Sequence, residues 1–261
     1  TDFAHLIEVP VFLAGQWNDE QTGPHFPALF DKFTGTEVAR FTATNGVHID
    51  GFSPQVLLEW RNFIDLYVAR RVPRTPELLG PLLPLFFSQF LGTALNIPGD
   101  RLAGYDTYEE ARAAYEAEGS VRIIFESGAN GLTEPGAPEG SFEADFDSWP
   151  IPETVARRWY FQADGSLLEE PPAGDEAGES SFNPELEAGE RTTLPKGSVS
   201  DLQPDWVYPP LADGHAVAWI SEPLADDAVM VGHGSVDLWI RSTATDADLE
   251  VILTEVRPDG V

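Results

Sequence analysis

The chain has 261 residues, enough for one large domain or two ordinary ones, and an apolar fraction of 42% that can build a core. With 44 acidic against 15 basic side chains, its formal charge is -29, which argues against binding to nucleic acid or to anionic membranes. It contains no cysteine, so disulfides, zinc-thiolate sites and cysteine nucleophiles are excluded within it.

The apolar runs are too short for a membrane span. A bilayer requires roughly 20 consecutive apolar residues, and the longest candidate, residues 78–95, contains Pro81 and Pro84. We therefore expect a protein that is not integral to a membrane, in the cytoplasm or secreted. The start at Thr1 without a methionine and the turn-like residues 258–261 lead us to expect a fragment cut at both ends.

The first elements along the chain predict a parallel sheet. Residues 9–15 form a continuous apolar run ending in glycine, which is typical of a strand buried on both faces. A short helix at 27–33 and a second strand at 37–43 follow, so we predict a parallel strand-helix-strand unit. Ser53-Pro54 then opens a helix whose apolar residues recur at helical spacing up to Tyr67.

The remaining sequence changes character twice. Residues 73–119 alternate prolines with apolar stretches and end in a helix at 108–118, which favours a helical insertion. Short strands separated by Gly, Pro and Asp follow, which favours a β-sandwich or jelly roll. The strands are predicted at 121–126, 157–162 and 216–220, with a paired couple at 235–240 and 249–253 and a long acidic loop at 171–204.

We therefore predict an α/β plus β fold in three parts. Residues 1–72 are interpreted as the C-terminal part of an α/β domain, 73–119 as the helical insertion, and 120–261 as a jelly-roll domain truncated at its C-terminus.

An acid and a histidine follow the two predicted parallel strands. Asp19 lies in the first loop and His48 in the second, 29 residues apart. Functional groups of open α/β sheets gather at the carboxyl ends of the strands, where a carboxylate and an imidazole can form two members of a hydrolase triad. Ordinary loop roles remain open, with Asp19 capping a turn and Asp50 as the true partner of His48 or a surface charge. No Gly-x-Ser-x-Gly elbow is present, so the nucleophile is expected outside the chain.

Several segments carry a resemblance to a known family. The Gly-x-Trp-x-Asp motif at 15–19, the histidine loop at 46–51 and the helix at 60–67 resemble the cocaine esterase and X-Pro dipeptidyl-peptidase hydrolases (CocE/NonD). The histidine loop lacks the Pro-Trp that this family usually carries before the histidine. Later segments resemble the family's C-terminal jelly roll, at 121–125, 149–150, 159–161, 164–167, 221–224 and 236–240.

The resemblance implies a serine hydrolase cleaving ester, amide or X-Pro dipeptidyl bonds, with Asp19 as triad acid and His48 as base. It implies no cofactor, a small ester, amide or peptide as substrate, and no nucleic-acid or membrane partner. A homo-oligomer stays possible. The alternative is a non-catalytic jelly-roll module that binds carbohydrate or protein. Without its serine, the isolated chain is expected to be inactive.

Other candidate residues are weaker. Trp17 and Trp149 are substrate-pocket candidates, although tryptophan of this kind more often belongs to the core. Carboxylates suited to calcium are better explained as turn residues, and two histidines lack the spacing of a metal site. These residues are Asp226, Asp227, Asp246, Asp248, His215 and His233. We therefore predict no metal site.

Overall fold

The computed structural model describes residues 2–19, 21–128, 133, 136–173, 216–247 and 249–256. The chain divides into two compact units, Thr1–Met230 and Val231–Val261. The predicted acidic loop lies largely outside the described residues, as do His215, Asp248 and the turn at 258–261.

A four-stranded mixed sheet organises the first unit. Its strands are β1 (Val11–Gln16), β2 (Ala39–Thr44), β3 (Val121–Phe125) and β4 (Phe142–Phe146), in the spatial order β1-β2-β3-β4. β1, β2 and β3 run parallel, and β4 pairs antiparallel with β3. The predicted parallel pairing of the first two strands is confirmed. Parallel strands place their carboxyl ends at one edge of the sheet, which positions the loops that follow them.

Three α-helices lie in the connection between β2 and β3: α1 (Pro54–Ile64), α2 (Leu83–Leu91) and α3 (Tyr108–Ala117). α1 begins as the sequence predicts, since the Ser53 hydroxyl accepts the Val56 N–H at 3.4 Å. It continues into a π-helical turn at Asp65–Ala69.

Short helical turns complete the first unit. The helix predicted at 27–33 is a 3-10 helix, Phe26–Lys32, and further 3-10 turns occur at Ala4–Leu6, His48–Phe52 and Gly80–Leu82. Nowhere in the described part of the chain is there a helix with both the length and the apolar character needed to cross a membrane.

Aromatic side chains lie on both faces of the sheet, since Phe41 is in register with Leu13 and therefore points to the opposite face from Phe12. The Phe30 and Phe41 rings stack with their centroids 4.2 Å apart, and Phe12 contacts Phe63 of α1 at 5.7 Å. Val121 and Ile123 of β3, which pair with Phe41 and Ala43 of β2, are almost completely buried. Cover on both faces explains why β1 reads as a continuous apolar run, as strands of a parallel sheet do.

The structure identifies the partner of β3. The sequence analysis predicted a strand at 121–126, within the jelly-roll part, and this strand pairs in parallel with β2, from Phe41↔Val121 to Thr44↔Ile124. The pattern of apolar residues predicts a strand but does not predict which strand pairs with it. The pairing of β3 with β2 therefore could not be predicted from the sequence. The boundaries of the three predicted parts stay a prediction.

The later strands are shorter than predicted. β5 (Tyr160–Phe161) and β6 (Leu167–Leu168) form an antiparallel pair within the predicted 157–162 region and just after it. In place of a strand at 216–220 there is a single bridge from Ile220 to Ser166. Among the described residues, the strands predicted at 157–162 and 216–220 therefore form only short β-pairing.

The second unit contradicts the predicted strand pair at 235–240 and 249–253. Its described residues, 231–247 and 249–256, form neither helix nor strand. Trp239 is fully exposed, and Leu238 and Val251 are 43% and 58% exposed. A two-stranded hairpin is marginal unless one apolar face packs on another layer, and the described residues of this unit supply no such layer.

Candidate functional site

The segments that leave β1 and β2 run side by side. The Trp17 N–H donates to the Thr44 carbonyl at 2.9 Å, and the Asn18 N–H donates to the Gly46 carbonyl at 3.0 Å. The Asn18 side-chain amide also donates to the Asn45 carbonyl. The parallel pairing thus extends past both strands and brings the residue after Asn18 next to the loop that carries His48.

Asp19 and His48 are in direct contact. Asp19 Oδ2 and His48 Nδ1 are 2.9 Å apart. The Asp19 side chain is 4% exposed, whereas the His48 side chain is 41% exposed. A buried carboxylate therefore holds one nitrogen of a ring that remains open to solvent, which is the arrangement that acid and base members of a hydrolase triad require.

The other carboxylate oxygen of Asp19 is held by main chain. Asp19 Oδ1 accepts the N–H groups of Gln21 at 2.8 Å and Thr22 at 2.9 Å. Burial alone raises the pKa of Asp19, but the hydrogen bonds from Thr22, His48 and Gln21 outweigh it and lower the pKa below its ordinary value. Asp19 is therefore ionised at neutral pH and can only accept hydrogen bonds.

Asp50 does not take the place of Asp19. Its carboxylate Oδ2 accepts the Val47 N–H at 2.9 Å, and the residue is 2% exposed. The ring Nδ1 of His48 bonds to Asp19 instead. Asp50 therefore acts on the main chain of the histidine loop, and is not the surface charge that the sequence analysis left open.

Sequence reasoning missed the contacts that Ser127 makes with Thr44 and Asn45 beside the site. The Asn45 side-chain oxygen accepts the Ser127 N–H at 2.8 Å, and the hydroxyls of Thr44 and Ser127 are 2.8 Å apart. They tie the end of β3 to the end of β2. The available signal was positional, because Ser127 follows a strand as Asp19 does, but the pairing of β3 with β2 was not predicted.

Helix α2 supports the histidine loop from the other side. Phe87 and Leu91 of α2 pack with Val47 and Ile49, the two residues that flank His48. Val47 is 3% and Leu91 is 0% exposed. The segment predicted as a helical insertion thus contributes directly to the shape of the site.

The two tryptophan candidates lie among phenylalanines. The Trp17 ring is 5.6 Å from Phe26, and the Trp149 ring is 5.6 Å from Phe30. Both are partly buried. These contacts favour the core role, and a place for Trp17 in a substrate pocket stays a prediction.

The remaining candidates are not gathered into a site. Asp226, Asp227, Asp246 and His233 are exposed, and Asp246 accepts the N–H of Ala247 at 2.9 Å as a turn residue does. Among the described residues there is no group of three or more side chains suited to hold a metal ion.

Comparison with known proteins identifies the C-terminal portion. No curated protein and no solved structure matches the chain. One family model matches, that of the X-Pro dipeptidyl-peptidase C-terminal non-catalytic domain, over residues 113–261. Since this match spans more than half of the sequence, the chain belongs to the family of the X-Pro dipeptidyl-peptidase C-terminal non-catalytic domain, which is β-rich.

Proposed function

We propose that this chain is part of a serine hydrolase of the CocE/NonD type, and that it supplies the triad acid Asp19 and base His48. The observation that carries the proposal is the 2.9 Å contact between Asp19 Oδ2 and His48 Nδ1. It occurs where two parallel strands end, the usual place for functional groups in open α/β sheets. The family of the C-terminal portion adds support, because that domain is named for an X-Pro dipeptidyl-peptidase.

The tautomer of His48 follows from the charge of Asp19. An ionised carboxylate has no proton to give, so Nδ1 carries the hydrogen of their bond and Nε2 of the neutral ring holds the lone pair. In acyl transfer, Nε2 takes the proton of the attacking serine hydroxyl and returns it to the leaving oxygen or nitrogen. Asp19 stabilises the imidazolium between those two steps.

We place the nucleophile outside these 261 residues, beside β1. In α/β-hydrolases the chain order is serine, acid, histidine, and β1, which precedes the acid, stands at the end of the sheet order. Among the described residues no strand pairs with the outer edge of β1. Such an edge leaves backbone groups available to a further strand, and a parallel strand there would deliver its C-terminal end toward Asp19 and His48.

The C-terminal portion has a second, non-catalytic role in this proposal. The matched family is described as non-catalytic, and the candidate pair lies at 19 and 48, before the match begins. Residues 113–261 are therefore best interpreted as a module attached to the catalytic part. β3, inside the matched range, pairs with β2, so the module is joined to the catalytic sheet by main-chain hydrogen bonds.

The test is labelling and turnover by the complete polypeptide that contains this chain. A fluorophosphonate should label one serine, and both labelling and turnover of a nitrophenyl ester or an X-Pro anilide should be lost in His48→Ala. Asp19→Asn should also lower turnover, and its matched control is Asp31→Asn, at an exposed aspartate paired with Lys32, which should behave as the unaltered protein. Undiminished labelling and turnover in His48→Ala would overturn the proposal. Preference for the ester or the anilide separates esterase from peptidase.

A further inference from the structure

We propose that Asp50 is a positioning residue that holds the His48 main chain in the orientation that reaches Asp19, and that Gly46 is required to make room for it. The inference rests on the proposed role of His48 as the base. It assigns a function to a buried carboxylate that the triad itself does not use.

The need for a positioning residue follows from the exposure of His48. Its side chain is 41% exposed, so burial alone does not fix the ring as it would in a core. The direction of its Cα–Cβ bond is set by the loop backbone. Val47 and Ile49 are buried, at 3% and 8% exposure, and pack against α2. The buried Val47 and Ile49 side chains hold the loop on both sides of His48. The backbone dihedrals of the segment from Val47 to Ile49 still have to be fixed.

Asp50 fixes those dihedrals through a hydrogen bond. Val47 stands at the start of the 3-10 turn His48–Phe52 with φ -94° and ψ 176°, and its N–H donates to Asp50 Oδ2 at 2.9 Å. A side chain that bonds back to the residue before a helical turn sets where the turn begins. Burying a carboxylate costs free energy unless hydrogen bonds compensate, so its retention at 2% exposure indicates a role for this contact.

Gly46 makes the contact sterically possible. A Cβ built on Gly46 would lie 1.8 Å from Asp50 Oδ2 and 2.6 Å from its Cγ. Any other residue at position 46 would expel the carboxylate. The carbonyl of the same glycine accepts the Asn18 N–H at 3.0 Å. Gly46 therefore joins two contacts, one to the loop that carries Asp19 and one to the residue that shapes the His48 turn.

The experiment measures the Asp19–His48 hydrogen bond in the 261-residue chain by NMR, from the His48 Nδ1 proton and the ring ¹⁵N shifts. Asp50→Ala and Gly46→Ala should lose the Nδ1 signal under conditions where far-UV circular dichroism shows a folded protein. Asp50→Asn, which keeps an oxygen at the acceptor position, should retain it. Retention of the signal in folded Asp50→Ala would overturn the proposal.

The matched control is Asp65→Ala. Asp65 is as buried as Asp50, at 2% exposure, but bonds to Arg71 at 2.8 Å. Asp65→Ala should lower thermal stability and keep the His48 Nδ1 proton signal. Loss of that signal in Asp65→Ala would mean that any destabilisation breaks the Asp19–His48 hydrogen bond, which contradicts a specific role for Asp50. If Asp50→Ala does not fold, Gly46→Ala carries the same test with every carboxylate retained.

Activity separates this inference from the proposed function. In the complete polypeptide, Asp50→Ala should lower kcat at least 10-fold with little change in KM, and Asp50→Asn should recover most of the loss. If His48→Ala leaves turnover intact, the proposed function fails, while the NMR result still decides whether Asp50 positions His48.

Discussion

Asp19 and His48, 29 residues apart in the chain, meet through a 2.9 Å hydrogen bond between a buried carboxylate and a ring that solvent reaches. The contact depends on main-chain pairing that continues beyond β1 and β2, where Asn18 donates to Gly46. The two strands bring the two loops together. The Asp19–His48 hydrogen bond should therefore persist when surface residues outside these loops are substituted.

Asp19 should make the stability of the chain depend on pH. Its hydrogen bonds lower its folded pKa below the ordinary 3.8, so its stabilising contribution is complete above the unfolded pKa and is lost as pH falls through the lower folded value. At pH 7, Asp19→Asn should lower the free energy of unfolding by about 2 kcal/mol. Urea titrations from pH 7 downward should show the difference from the unaltered chain shrinking below about pH 4.

Asp31→Asn is the control for this pH dependence. Asp31 is 44% exposed and pairs with the adjacent Lys32, and an exposed pair of this kind contributes little. A difference for Asp19→Asn that stays constant across the whole pH range would contradict the lowered pKa.

Leu91 should be required for the histidine loop. It is 0% exposed and packs with Val47 and Ile49, so Leu91→Ala should cost about 2–5 kcal/mol. Leu85 lies on the same helix but is 61% exposed, and Leu85→Ala should change stability by no more than about 0.5 kcal/mol. Thermal unfolding of both variants measures the contrast. Equal effects would mean that α2 does not pack on the loop as described.

Arg40 should stabilise the end of α3. Its guanidinium donates to the carbonyls of Tyr115 at 2.6 Å, Glu118 at 2.8 Å and Gly119 at 2.9 Å. Since charged hydrogen bonds to buried acceptors are lost together, Arg40→Ala should cost about 3 kcal/mol. Arg40→Lys should recover only part of this, because an ammonium lacks the planar fork.

The control for Arg40 is Arg157→Ala. Arg157 is 63% exposed and lies 3.5 Å from Glu169, so its removal should change the urea midpoint very little. A similar loss in both variants would contradict the capping role assigned to Arg40.

The candidate pair could be predicted from the sequence because its signals lie in short segments. A continuous apolar run predicted β1, the positions after two strands made Asp19 and His48 candidates, and the resemblance to a known family favoured them as acid and base over ordinary loop residues. The N-cap Ser53 and the proline after it likewise predicted the start of α1.

The pairing of β3 could not be predicted, because it is a long-range contact. β3 reads as a strand from its own residues, but its pairing with β2 spans the whole helical segment from α1 to α3. The role that we propose for Asp50 could not be predicted from the sequence for a different reason. That role depends on the absence of a Cβ at Gly46 and on the main-chain N–H of Val47, and hydrophobic periodicity reports neither of them.

The isolated 261-residue chain should not turn over an acyl nitrophenol. Acid and base are present, but no Gly-x-Ser-x-Gly elbow occurs in its sequence, and an oriented imidazole without an activated serine lacks the covalent step. The measurement is release of nitrophenol by the purified chain against a His48→Ala sample. Turnover that disappears in His48→Ala would show that a nucleophile lies within these residues.

The most direct test is the kcat of the complete polypeptide with His48→Ala, with His25→Ala as the control. If His48 is the base oriented by Asp19, its removal should lower kcat by about 10³-fold or more, and His25→Ala should leave kcat within about 2-fold. A kcat for His48→Ala equal to that of the His25→Ala control would contradict the assignment of Asp19 and His48 as the acid and base of a hydrolase.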